Sequence, residues 1–69
     1  MKILHNRVKE MRFMGGELTQ QDLAKLVEVS RQTIISIEKG KFNPSVKLAL
    51  QIAAVFGKNV DEIFYLEAE

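Results

Sequence analysis

Residues 18–40 read LTQQDLAKLVEVSRQTIISIEKG. The same short grammar occurs twice in this stretch. Thr19 is followed three positions on by Asp22. The threonine hydroxyl can accept from the Asp22 amide while the carboxylate reaches back, a capping box in its less common Asp form. Leu18 before the cap and Leu23 after it form a hydrophobic staple. Ser30 takes the next cap position, with Val29 before it and Ile34 as the staple partner. Leu23, Ala24 and Val27 share the inner face of the first helix. Only Glu28 and Val29 stand between that helix and the second cap. Helices joined this tightly cannot lie antiparallel, so they cross steeply as in a helix-turn-helix. Gly40 closes the second helix at the usual C-terminal glycine position.

That second helix carries an unexpected charge pattern. At about 100° per residue, Ile34 and Ile37 form the inward stripe and Glu38 lies beside them. Gln32, Ser36 and Lys39 share the outer face, with Arg31 and Ile35 on one flank and Thr33 on the other. The helix therefore turns its only acid inward and its donors outward. A buried carboxylate needs a cation, because an unpaired buried charge is too costly. Arg12, next to Met11, is the candidate.

Working outward, Leu4, Val8 and Met11 follow helical spacing, with Asn6 as a possible cap and Gly15-Gly16 as the stop. Ser45 caps a helix after the Asn43-Pro44 turn, with Val46, Ala49, Leu50, Ala53 and Phe56 as its inner face and Gly57 as its end. Asn59 and Glu62 form another capping box, opening a short helix with Val60, Ile63 and Phe64. The spacing predicts helices over about 7–14, 20–27, 31–39, 46–56 and 60–64, in a single domain spanning 1–69. The apolar ends, Lys2-Ile3-Leu4 and Phe64-Tyr65-Leu66, have some strand preference. They read either as frayed helix ends or as a short ribbon pairing 2–4 with 64–67. An isolated ribbon is marginal, so it is expected only at a subunit interface. The fold class is all-α, with five helices and that possible ribbon.

The totals are those of an ordinary soluble domain, 46% hydrophobic and 28% charged. There is no cysteine and one histidine, which leaves no thiolate or histidine metal site. No apolar run approaches the ~18 residues of a membrane span. The start, MKILHNRVKE, does not read as a signal peptide. A cytoplasmic location, no membrane association and no cofactor are expected. Charge is unevenly placed. Residues 25–58 hold six Lys/Arg and two acids, whereas residues 61–69 hold four acids and no base. Such a split suits a chain with one face toward an anion.

The run LTQQDLAKLVEVSRQTIISIEKGKFNPS, followed by LALQIAAVFG and DEIF, resembles the phage-repressor-like (Xre/Cro) helix-turn-helix family over residues 7–64. Within it, the chain is similar to small stand-alone repressors, five-helix proteins of which some add a terminal β-ribbon and dimerise. The resemblance implies a sequence-specific DNA-binding transcriptional regulator, a repressor that binds a near-palindromic operator as a homodimer. It departs from the family at Glu28, where many members carry glycine, and at Ile35, where many carry a small polar residue. If Glu28 has positive φ, its side chain costs about 1 kcal/mol.

The same resemblance places Arg31, Gln32 and Ser36 at base-contacting positions. An α-helix fits the major groove, where Arg can pair with guanine and Gln with adenine through two bonds each. Ile35 can touch a thymine methyl or pack on a partner subunit. Gln20 matches the family's phosphate-clamping glutamine, with Thr33, Lys39, Lys41 and Asn43 as companions. Lys25 and Lys47 read as plain surface. Arg12 matches the position that pairs with Glu38 in related repressors, an architectural tie holding the reading helix. Ile63, Phe64, Tyr65 and Leu66 are the expected dimer surface, although Phe64 also suits the core.

Enzyme chemistry is not expected. The chain offers no nucleophile–base pair or metal set, and Gly40-Lys41 lacks the rest of a phosphate loop. The stronger rival is a protein-interaction module of the same fold, antitoxin-like or bridging, in which Arg31 and Gln32 would meet an acidic protein surface.

Overall fold

A computed structural model of the chain describes residues 1–68. Its elements run β1 (Lys2–Asn6), α1 (Val8–Met14), α2 (Gln20–Leu26), α3 (Arg31–Glu38), α4 (Val46–Phe56), α5 (Val60–Ile63) and β2 (Phe64–Ala68). Local chemistry explains the helix starts. The Thr19 hydroxyl accepts from the Asp22 amide at 3.0 Å, and the Asp22 carboxylate accepts from the Thr19 amide at 3.2 Å. Ser30 caps α3 through the Thr33 amide, and Ser45 caps α4 through the Leu48 amide. The Glu62 carboxylate accepts from the Asn59 amide at 2.7 Å and holds the first turn of α5.

The ends of α2, α3 and α4 share one device. After α2, the Val29 amide donates to the Ala24 carbonyl and the Glu28 amide to the Lys25 carbonyl. After α3, the Lys41 amide reaches Ser36 and the Gly40 amide reaches Ile37. After α4, Lys58 reaches Ala53 and Gly57 reaches Ala54. This is the paired Schellman pattern, which needs a left-handed residue at its corner. Gly40 and Gly57 supply it at φ 74° and 64°, while Glu28 adopts φ 59° with a side chain in place.

The core brings every helix together: Val8 from α1, Leu23 and Ala24 from α2, Ile34 and Ile37 from α3, Leu48, Ala49, Ile52 and Ala53 from α4, and Ile63 from α5. Phe64 and the corner residue Val27 complete it. On α4 the inward stripe differs from the expected one. Ala49 and Ala53 face inward, but Val46 and Leu50 are 78% and 53% exposed, and Leu48 and Ile52 take their place. The sequence VKLALQIAAVF is apolar on nearly every side, so two overlapping stripes satisfy helical spacing equally well. Packing against α2 and α5 selects between them.

The fold is also not purely helical. β1 and β2 pair antiparallel over five residues each, with Leu4 opposite Leu66 and Asn6 opposite Phe64. The ribbon is longer than the expected 2–4 with 64–67, and it packs on the core of its own chain. Its attachment to the core explains this. Leu4 packs on the core, Phe64 lies in it, and the Arg7 amide donates to the Ile63 carbonyl at 2.8 Å. Asn6 is consequently the last strand residue rather than the helix cap, which is Arg7. It still serves both elements: Oδ1 accepts from the Val8 amide, and Nδ2 donates to the Ile37 carbonyl at 2.9 Å.

The corner residues generate a pair of predictions with opposite sign. Glu28→Gly relieves a left-handed side chain and is expected to be neutral or stabilising by up to about 1 kcal/mol. Gly57→Ala introduces one and is expected to cost about 1 kcal/mol, since a Cβ there meets nothing within 4 Å and only the backbone cost remains. Thermal and urea denaturation measure both.

Candidate nucleic-acid interface

The site is organised around one carboxylate. Glu38 Oε2 accepts from Arg12 Nε at 2.6 Å, and Oε1 accepts from Arg12 Nη2 at 3.0 Å. Both side chains are more than nine-tenths buried. The fork of the guanidinium matches the carboxylate, giving the two-bond arrangement that makes such pairs strong. Arg12 Nη1 donates its remaining reach to the Leu18 carbonyl at 3.0 Å. Gln20 Nε2 donates to Glu38 Oε1 at 3.2 Å. A carboxylate can only accept, so this bond also settles which way the Gln20 amide faces. One acid therefore ties α1, the loop before α2, the start of α2 and the end of α3. No buried side-chain polar atom among the described residues lacks a partner.

With Glu38 turned inward, the outer edge of α3 is free of acids. Arg31 and Gln32 are exposed, whereas Thr33, Ile35 and Ser36 are half-buried. The Thr33 hydroxyl lies 3.0 Å from that of Ser30, at the cap. Two open hollows flank this edge. One, of about 380 Å³, is bounded by Ser30, Gln32, Thr33, Ser36, Lys41 and Phe42. The other brings Thr19, Gln20 and Arg31 together beside Arg12 and Phe13. Lys39, Lys41 and Asn43 are exposed just beyond the helix end. The edge can donate to acceptor-rich, anionic groups on both sides of α3.

Three of the residues read as binding residues have a further role or almost no exposed surface. Gln20 is half-buried and already bonded to Glu38, which leaves its second amide hydrogen and its oxygen for a ligand. Ile63 and Phe64 are 0% and 8% exposed, so they belong to the core of the single chain and have almost no surface to offer a partner. They stand at the α5–β2 junction, where the chain passes through the core. Tyr65 is half-buried, stacked on His5 at 5.6 Å with the Arg7 guanidinium 4.1 Å from its ring, and Leu66 is 62% exposed. Phe42, 48% exposed in the first hollow, has no helical periodicity to draw attention to it. Its one sequence signal is its place between Lys41 and Asn43.

The helix pair, its two-residue corner and the flanking helices have a known counterpart. A family model described as helix-turn-helix matches residues 14–63, most of the chain. The chain belongs to the Xre/Cro-like helix-turn-helix family. It is 53% identical over 64 residues to an uncharacterised HTH-type transcriptional regulator of Methanocaldococcus jannaschii, covering 93% of this chain and 96% of that protein. It is 47% identical over 66 residues to another such regulator from Archaeoglobus fulgidus, covering 96% and 92%. A Bacillus subtilis protein of the same description, YgzD, is 42% identical over 66 residues, covering 96% and 98%. The likeness thus runs through the ribbon as well as the helices. No helix among the described residues is long and apolar enough to cross a membrane.

Breaking the central tie is expected to be costly. Arg12→Met strands a buried carboxylate and should lower stability by about 3–5 kcal/mol in urea denaturation. Adding Glu38→Leu removes the stranded charge and should recover most of that loss. The exposed capping box adds a smaller pH effect. The Thr19 backbone amide, followed by its hydroxyl, holds the Asp22 carboxyl below its ordinary value. The folded value is then lower than the unfolded one. Its contribution is complete above the unfolded value and fades as pH falls through the folded one.

Proposed function

We propose that the chain is a sequence-specific double-stranded DNA-binding transcriptional regulator, acting as a repressor at a near-palindromic operator with α3 in the major groove. The observation that carries this reading is the acid-free outer edge of α3, set by the inward pairing of Glu38 with Arg12. Arg31 and Gln32 stand exposed at the first turn, where a reading helix meets base edges. In this reading Arg31 and Gln32 each form two-point base contacts, Ser36 and Ile35 complete the base-facing edge, and Gln20, Thr33, Lys39, Lys41 and Asn43 meet phosphates. Phosphate contacts set register and base contacts set sequence. The names of the relatives, all HTH-type transcriptional regulators, point the same way.

The active form is a homodimer. A single copy has one reading helix and covers one half-site. A two-fold pair would set two such helices about 34 Å apart, one DNA turn. Exposed Leu66, with Tyr65 beside it, supplies apolar surface on the ribbon, away from α3 in sequence and next to the acidic residues Asp61, Glu62 and Glu67. Those acids favour a position away from phosphates.

Selection from a random DNA pool tests binding, spacing and base preference together. An enriched two-fold motif is expected, and no enrichment would exclude the reading. On the selected site, four lysine–phosphate contacts per dimer predict that log affinity falls with log salt at a slope of about −3 to −4. Lys41→Ala should flatten that slope by about 2 while leaving sequence preference intact. Gln32→Ala should instead relax discrimination at one base per half-site by about 1–3 kcal/mol. For the dimer, light scattering at micromolar concentration is expected to give twice the chain mass, and Leu66→Glu to halve it.

A further inference from the structure

The hollow beside α3 is lined by polar side chains except for one aromatic ring, Phe42. That ring is 48% exposed and does not belong to the core cluster. The chain on either side of it is nevertheless constrained. Gly40, at φ 74°, turns the chain at the end of α3, and the Lys41 amide is bonded to the Ser36 carbonyl at 2.9 Å. Two residues later Pro44 restricts Asn43 to extended backbone. The loop thus returns along the outer edge of α3 and holds Phe42 where Gln32 and Ser36 open onto the same space. An isolated exposed hydrophobe needs no explanation. An aromatic held on both sides and facing hydrogen-bonding groups of a reading edge has one.

Base edges in the major groove offer one apolar group, the C5-methyl of thymine, and aliphatic or phenyl side chains are what contact it. We propose that Phe42 is a specificity-determining residue that packs on a thymine methyl next to the base read by Gln32. The inference rests on the DNA-binding reading above. It adds a base-reading residue outside α3, on the loop that follows it, and it assigns the preferred base. Gln32 reads hydrogen-bonding groups while Phe42 reads the one group that hydrogen bonds cannot see.

Uracil differs from thymine only by lacking this methyl, so the selected operator itself provides the probe. Each thymine is replaced singly by deoxyuridine and affinity is measured for the full-length protein. Wild type is expected to lose about four-fold at one thymine per half-site, the size of one buried methyl. Phe42→Ala should bind the thymine and uracil operators equally, and Ile35→Ala should keep the wild-type difference there. Phe42→Gln keeps bulk in the loop with a polar end; where the alanine variant fails to fold, this variant is the one expected to bind the thymine and uracil operators equally. Wild-type indifference to every thymine-to-uracil exchange overturns the assignment, as does a Phe42→Ala protein that keeps the wild-type difference. Loss of affinity in Phe42→Ala that is equal for both operators also overturns it, because the ring would then meet sugar rather than base. Failure of the DNA reading looks different: wild type would enrich no sequence at all.

Discussion

The pairing of Arg12 with Glu38 sets where the exposed residues of α3 can be. A carboxylate and a guanidinium removed from water lose several kcal/mol of hydration each, which only close, fully bonded geometry offsets. Here both Glu38 oxygens are bonded to Arg12, the third arm of the arginine goes to the Leu18 carbonyl, and Gln20 adds a further donor. Such a cluster contributes little net stability compared with apolar packing, but it tolerates very little displacement. It holds α1, α2 and α3 at one relative position, which fixes the orientation of the short helix α3. The same bonds remove the one acid of α3 from its exposed edge.

The second constraint is the corner between α2 and α3. Two residues must reverse a helix end and present Ser30 as the next cap, which only a left-handed corner with its paired backbone bonds achieves. Glu28 occupies that corner at φ 59°. The core answers for the strain: Val27 and Val29 on either side are anchored there. Gly40 and Gly57 perform the same turn without strain. The Gly40 turn has consequences for the surface, since it brings Lys41 and Phe42 back alongside the outer edge of α3.

Much of the fold was legible in the residues because its signals are local. A hydroxyl at Thr19, Ser30 or Ser45 meets an amide three residues on whatever the rest of the chain does, so caps and helix starts follow from spacing alone. The inward position of Glu38 followed from angular position on a helix with Ile34 and Ile37. The inner face of α4 was not legible, because nine apolar residues in eleven leave the direction of burial open. The ribbon was not legible either. Residues 2–6 and 64–68 are far apart in sequence, and their pairing depends on α5 ending beside α1. For the same reason Ile63 and Phe64 resemble a sticky terminal patch in the sequence but lie in the core of the folded chain.

The sequence by itself determined the helices, the caps at Thr19, Ser30, Ser45 and Asn59, the corners, the family and the charge pattern of α3, since each depends on neighbours within a few positions or on a fixed helical angle. Tertiary structure alone decided which side of α4 is buried, that the termini pair, and that Gln20 faces Glu38. It also decided that Phe42 shares a hollow with Gln32 and Ser36. Each of these is a choice among locally equivalent alternatives. Close packing between elements distant in sequence makes that choice, because only one arrangement fills the core and satisfies every buried donor and acceptor.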